Sequence, residues 1–235
     1  MIDTVTLIDK PVGWTSFDVV AKVRGRIRAQ YTARGEKPTK RQLRVGHAGT
    51  LDPFATGLLI ILIGDECKKA GEFLKLDKAY EATIRLGENS TTGDPEGTIT
   101  KHLFVTDPTC NRDEKCECVH VPLLNDVERV LGEFVGQITQ IPPAHSAIKI
   151  DGVRAYKLAR AGKDVVMPER QVTIHSIELL DYSYPDLRIR AHVGSGTYIR
   201  TLAQDIGERL GTGAYCSQLR RTRVGQWSIE AAEAI

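Results

Sequence analysis

The sequence predicts an α+β fold with a mixed, largely antiparallel central sheet flanked by helices. Three observations predict it. Strand-like and helix-like stretches alternate irregularly rather than in a repeating β-α register. Segments 172–181 and 187–193 are separated only by Tyr184-Pro185-Asp186, the mark of a hairpin. Residues 80–86 alternate strictly, with Tyr80, Ala82, Ile84 and Leu86 on one face and Glu81, Thr83 and Arg85 on the other.

In chain order, residues 4–8 alternate apolar and polar groups as a strand does, and Asp9-Lys10-Pro11-Val12-Gly13 then turns. Thr15 or Ser16 caps a helix whose apolar stripe is Phe17, Val20, Val23 and Ile27. Residues 30–42 form a flexible basic loop. From Arg44 to Gly57, three glycines, one proline and two threonines in fourteen residues specify a stiff loop rather than a helix or strand. That loop carries His47 and Asp52, and Pro53 fixes the backbone just after the carboxylate. An Asp-Pro pair alone means only a turn, but the whole run reads as a mount for Asp52.

Residues 58–63 are apolar throughout, as in a buried strand, and a short helix follows over 66–76. Residues 90–97 are turn-rich, and 103–122 read as an insert. Val127, Val130, Leu131 and Phe134 fall at i, i+3, i+4 and i+7, one face of an amphipathic helix. Pro142-Pro143 keeps 140–149 extended or irregular. A basic helix is expected around 154–160, then the hairpin, then a helix over 198–210 stopped by Gly211. A last strand spans 214–224. There is no repeat and no low-complexity linker.

Composition bounds the function. The chain has 235 residues, 41% hydrophobic and 26% charged, enough for a substantial core. No run approaches the ~18 apolar residues of a membrane span, and Met1-Ile2-Asp3-Thr4 lacks the features of a signal peptide, so residence in the cytoplasm is expected. The net charge of +2 does not announce nucleic acid, but its distribution does more. Nine Lys or Arg lie between Lys22 and Arg44 against the single acid Glu36, a local field that attracts phosphates. Charge alone also fits a solvated loop beside a charged helix.

Of five cysteines, Cys67 and Cys216 are isolated. Cys110, Cys116 and Cys118 cluster with His120, a set that could hold zinc but lacks the spacing of a common zinc knuckle or ribbon. Incidental thiols are the preferred reading, and an odd total without a signal peptide argues against a disulfide scaffold.

Several strings together resemble the tRNA pseudouridine synthase B (TruB) family. Asp9-Lys10-Pro11-Val12-Gly13-Trp14-Thr15-Ser16 is similar to its DKPxGxTS start, and Gly46 to Gly57 to its GHxGxLDPxATG motif. Lys78-Ala79-Tyr80 resembles the second motif, Gly196-Thr197-Tyr198-Ile199-Arg200-Thr201 its GTYIRT, and Leu219-Arg220-Arg221-Thr222 its late LRR segment. Each is weak alone, but their common order covers almost the whole chain.

The resemblance implies the pseudouridine synthase fold, one catalytic domain over 1–235, and a thumb insertion at about 140–168 with Arg154, Lys157, Arg160 and Lys163 as phosphate contacts. It makes Asp52 the nucleophile, Tyr80 the aromatic partner of the flipped base, and Arg200 the guanidinium that pairs with the nucleophile. Tyr198 and Leu219 become apolar walls, and His47 an RNA contact that holds nucleotides out of the stack. Lys10 bridges to the loop or reaches a phosphate, and Asp94 is a polar group of the pocket. The implied substrate is the T-loop uridine of tRNA (position 55 in tRNA numbering), with the T-arm stem-loop as partner. A monomer needing no cofactor and no metal is expected. The same chemistry on another RNA, and a non-catalytic RNA-binding or RNA-folding protein, are the alternatives.

The sequence departs from the family pattern in several places. Ala48 replaces a threonine, and Ser90-Thr91-Thr92-Gly93-Asp94 stands where the family has TDTxD, leaving Asp94 as its acid. The basic loop and the Cys-bearing insert are longer than usual. The chain reads as a short form without the family's C-terminal PUA domain.

Overall fold

A computed structural model describes residues 4–102, 121–146, 148–150, 152–163 and 165–235. The cluster Cys110, Cys116, Cys118 and His120 lies outside the described residues. The chain begins β1 (Thr4–Lys10), α1 (Ser16–Ala33), β2 (Val45–Ala48), β3 (Thr56–Ile63), a 3-10 turn (Gly64–Lys69), α2 (Ala70–Leu74), β4 (Lys78–Leu86), β5 (Glu88–Ser90) and β6 (Ile99–Lys101). It continues α3 (Leu124–Glu133), β7 (Gly136–Gln140), β8 (Lys149–Ile150), β9 (Val153–Arg154), α4 (Ala155–Arg160), β10 (Arg170–Ser183) and β11 (Asp186–Val193). The last elements are α5 (Ile199–Arg209), β12 (Ala214–Val224), β13 (Trp227–Ser228) and β14 (Glu233–Ala234). Among the described residues no helix is long and apolar enough to cross a membrane.

The chain divides into two compact units. The first comprises Met1–Glu81, His192–Ser195 and Leu219–Ile235. Its strands follow the order β14-β1-β3-β12. β1 runs antiparallel to β3 along its whole length, from Thr4↔Ile63 to Lys10↔Gly57. The opposite edge of β3 is shared. β12 pairs in parallel with its start, Arg220↔Thr56 and Arg221↔Gly57, while β2 pairs antiparallel with its end, Ala48↔Ile60 to Val45↔Ile63. β3 is therefore covered on both edges, and Leu58 to Ile63 are all buried, as a continuous apolar run requires. Ala48, Leu58, Ile60, Leu62, Phe73 and Val224 form one core cluster, with Phe73 tilted against Trp227 at 5.0 Å.

The second unit comprises Ala82–Ala191 and Gly196–Gln218, with strand order β4-β11-β10-β7. β7 and β10 run antiparallel from Gln140↔Arg170 to Gly136↔Ile174. Along β4 the burial alternates from Lys78 to Leu86, as the sequence pattern requires. α3 buries Val127, Val130 and Leu131, and α5 buries Leu202, Ala203 and Ile206. Two small hairpins, β5-β6 and β8-β9, complete the unit.

The structure corrects several expectations. Asp9 and Lys10 belong to β1 because both pair with β3. The buried face of α1 is Ser16, Val19, Val20 and Val23, so Phe17 falls one position off the stripe and is 65% exposed. α1 also runs through Ala33, four residues into the stretch expected to be loop. The expected helix over 66–76 is a 3-10 turn followed by a five-residue α-helix. Residues 45–48 are a strand, since Val45 and Ala48 are apolar enough to be buried against β3. β7 is an addition whose register depends on β10, a long-range pairing with no local signature.

Candidate active site

The loop from Gly49 to Ala55 leaves β2 at Ala48 and enters β3 at Thr56. It springs from the gap between β2 and β12, which lie at opposite ends of the same edge of β3. Its backbone is gripped at three points. At the neck, the buried guanidinium of Arg221 donates from Nε to Leu58 O (2.8 Å) and from NH2 to Gly49 O (3.0 Å), tying the two ends of the loop together. Just before Asp52, Ser16 Oγ accepts from Leu51 N (2.9 Å) and donates to Leu51 O (3.1 Å). Just after it, Pro53 O accepts from Gly13 N (2.8 Å) and Lys10 Nζ (3.3 Å). Asp52 itself is half-buried.

Each grip follows from local sequence. Ser16 is the first residue of α1, whose capping box joins Thr15 and Asp18 reciprocally, and this fixes where Ser16 points. Lys10 is fully buried at the end of β1, and its ammonium donates to Pro11 O (2.9 Å), Trp14 O (2.6 Å) and Pro53 O. That arrangement bridges to the loop, and burial keeps the ammonium away from solvent. Gly57, at φ +101°, lets β3 approach β12, because a Cβ there would overlap the backbone of Arg221.

Around this loop, the first unit holds the other candidates Lys10, His47, Tyr80 and Leu219. His47 sits on β2, half-buried, with the Phe17 ring edge-on at 5.6 Å. Tyr80 is buried on β4 and Leu219 on β12. Thr222 Oγ1 donates to Ala79 O (3.3 Å) beside Tyr80, and Leu219 O is within 3.5 Å of Thr56 Oγ1. Burial also pushes the Lys78 ammonium down to about 8, aided by Arg221, while it donates to Leu74 O and Leu76 O.

The second unit holds Asp94, Tyr198 and Arg200. Arg200 is 4% exposed and Asp94 2% exposed. Arg200 NH1 donates to Asp94 Oδ2 (2.6 Å) and Thr92 O (3.1 Å), and NH2 donates to His145 O (2.9 Å). The Asp94 carboxylate also accepts from Thr92 Oγ1 (2.5 Å) and Glu96 N (3.0 Å), so it is a fixed anchor for the guanidinium. Tyr198 is held by Gln140, which accepts from Tyr198 N (3.0 Å) and donates to Tyr198 O (3.3 Å). Asp94 thus anchors Arg200, a role that a polar pocket group alone does not imply.

Ser16 and Arg221 join the site through the structure rather than through any residue-level signal. Ser16 closes the DKPxGxTS string and Arg221 lies within the LRR string, so the signal was present as motif membership. What was not readable was which backbone atoms they hold.

Comparisons with known proteins place the chain in a family. Residues 37–199 match the TruB family pseudouridylate synthase N-terminal domain, and residues 200–234 match the tRNA pseudouridylate synthase B C-terminal domain. The chain is 41% identical over 231 residues to tRNA pseudouridine synthase B of Cupriavidus pinatubonensis, covering 97% of this chain and 64% of that protein. It is 41% identical over 243 residues to the protein of the same name from Thermobifida fusca, covering 100% of this chain and 74% of the relative. The chain thus spans about two thirds of the length of such relatives. Among solved structures, it is similar to a chain of a Cbf5–Nop10–Gar1 complex, with TM-score 0.68 and 28% identity over 98% of this chain and 52% of that one.

Proposed function

Because the chain belongs to the TruB family of pseudouridylate synthases, we propose that it isomerises a uridine of tRNA to pseudouridine. The substrate on this reading is the T-loop uridine (position 55 in tRNA numbering), presented by the T-arm stem-loop. The observation that carries the proposal is the grip on the Asp52 loop. Leu51 and Pro53 are each fixed by side chains from β1 or α1, so the carboxylate between them is held on a rigid mount.

The reaction breaks the N1–C1′ glycosidic bond, turns the freed uracil and rejoins it through C5, from which a proton leaves. No electrons enter or leave, so the atoms balance without a redox partner. Extraction of the uridine from its stack costs a few kcal/mol. Phosphate contacts from exposed Lys and Arg offset that cost, and on this reading the segment 140–168 supplies some of them through Arg154, Lys157, Arg160 and Lys163. His47 holds neighbouring nucleotides apart. Asp52 then assists cleavage by attack on sugar or base, or by stabilising the cleaved state. Tyr80 and Arg200 keep the catalytic roles implied by the family motifs, and Asp94 fixes the orientation of Arg200. Tyr198 and Leu219 exclude water.

The whole of 1–235 acts as one catalytic domain in this reading, as a monomer in the cytoplasm and without a cofactor. The test is tritium release from C5-labelled uridine in a T-arm stem-loop. Wild-type protein should release it, and an Asp52→Asn protein should not. Turnover by Asp52→Asn at the wild-type rate would overturn the assignment. Running an rRNA fragment in parallel separates a tRNA substrate from another RNA.

A further inference from the structure

The proposed chemistry uses the end of the first unit where β1 hands over to α1. The far end of the same two elements carries a second concavity. A cavity of about 390 Å³ lies between them, floored by Ile8, Val23, Ile27 and Ile63. That volume is within the range of small-ligand sites, about 300–1,000 Å³. Tyr31, half-buried in the last turns of α1, walls it, and Arg26, Gln30, Arg34 and Gln42 contribute the polar lining. Glu233 is the one carboxylate among the lining residues.

The charges around this cavity are sorted. Arg41 and Arg44 are satisfied by Asp65 at 2.7 and 3.5 Å, and Arg24 donates to Leu43 O and Val45 O. Arg26, Arg28, Arg34, Lys37 and Lys40 are exposed and make no ion pair among the described residues. Cations left unpaired beside an aromatic face, with two side-chain amides at the rim, are the chemistry that receives an unstacked nucleotide. The ring takes the base, amides can read its edge, and guanidinium groups meet the phosphates. An apolar peptide would use the floor but leave these cations unanswered.

We propose that this groove binds an unpaired nucleotide of the RNA, with its base against Tyr31 and its phosphates against Arg26 and Arg34. The proposal rests on the reading that the protein acts on RNA. Tyr31 lies roughly 22 Å along the helix axis from Ser16, which grips the Asp52 loop. The bound nucleotide is therefore distinct from the uridine that reacts.

The test measures binding of labelled oligouridylate and oligoadenylate by fluorescence anisotropy over a range of salt, alongside turnover of a T-arm stem-loop at saturation. Tyr31→Leu should weaken oligonucleotide binding roughly tenfold, while Tyr31→Phe, which keeps the ring, should stay within about twofold. Arg26→Gln with Arg34→Gln should reduce the salt slope by about 1.4, as expected for two lost phosphate contacts to single strands. All variants should retain wild-type T-arm turnover. Tyr31→Leu binding like wild type, or a double variant with an unchanged salt slope, overturns the groove, and a peptide occupant would give that result. Equal weakening in Tyr31→Phe and Tyr31→Leu also overturns it, since the ring would then be irrelevant. If wild-type protein fails to isomerise the T-arm while these binding differences persist, the proposed reaction falls and the groove stands.

Discussion

Replacing Ser16 by alanine should slow catalysis without weakening RNA binding. The hydroxyl is 2% exposed and serves one residue only, accepting from Leu51 N at 2.9 Å and donating to Leu51 O at 3.1 Å. Leu51 is itself 4% exposed, so water does not readily replace the lost partner. Leaving a buried N–H unsatisfied costs about 1–3 kcal/mol. For a chain of this size, each kcal/mol lowers Tm by about 2–4 °C, so a drop of about 2–12 °C is expected by calorimetry. The kinetic effect has a different origin. The Leu51 amide will move to recover a partner, and Asp52 is attached to it. A displacement approaching 1 Å costs on the order of 100-fold in rate. At 25 °C, kcat on a T-arm stem-loop should fall about 10- to 100-fold with KM little changed. A kcat within twofold of wild type, beside the expected fall in Tm, would refute the idea that this hydroxyl positions the carboxylate.

Other perturbations test the remaining parts of the site. Gly57→Ala combines a φ of +101° with an overlap on the Arg221 backbone, so it should destabilise by about 3 kcal/mol or more, measured by urea unfolding. Asp94→Asn removes the charge facing a buried guanidinium, and a loss of about 3 kcal/mol with collapse of kcat is expected from unfolding and tritium-release curves. Asp205 is pushed up to about 6 by burial and by Glu208. Its folded form binds the proton more tightly than the unfolded form, so stability is fully present below about pH 4 and declines as pH rises to about 6. Asp205→Asn should therefore raise stability at pH 7.5 by about 1 kcal/mol after solvent screening, and change little at pH 4. Equal gains at both pH values would show that the carboxylate charge is not the cause.

The parts of the fold legible in the sequence are those whose reason is local. The alternation from Tyr80 to Leu86 needs only one buried sheet face, and β12 needs only an extended run bounded by Gly213 and Gly225. α3 shows its spacing of Val127, Val130 and Leu131 openly. β2 carries no strand signature of its own, because its four residues contain a glycine and a histidine. They become a strand through the free edge that β3 offers to Ala48 and Val45. Phe17 misleads for a related reason. An aromatic at a helix start fits the apolar stripe by type, yet the tertiary contact that defines the buried face is Ser16 on Leu51, and Phe17 turns toward His47 instead.

Within the candidate site, the sequence displays the side chains proposed to do chemistry and conceals those that hold them. Asp52 is conspicuous because its neighbours are glycine, proline and threonine. The grip on it is made by backbone acceptors, and no residue type advertises which carbonyl it will meet. Lys10 and Arg221 illustrate the point. Both are cations in an RNA-acting family, for which a phosphate is the natural guess, yet both are buried with carbonyl oxygens as partners. Burying the Arg221 cation on neutral oxygens is expensive, and a hydrophobic side chain of similar volume would avoid the cost. What such a side chain could not do is bind two backbone segments at once. Arg221 joins Gly49 to Leu58, and Lys10 joins Trp14 to Pro53, so each fixes a loop against an element that the loop sequence does not contain. The cost of desolvation is then the cost of a loop with one conformation, which the role proposed for Asp52 on a single atom of a uridine would require. Arg221→Met tests that reasoning. It should preserve packing and most of the stability, yet lower kcat more than any change in Tm would explain.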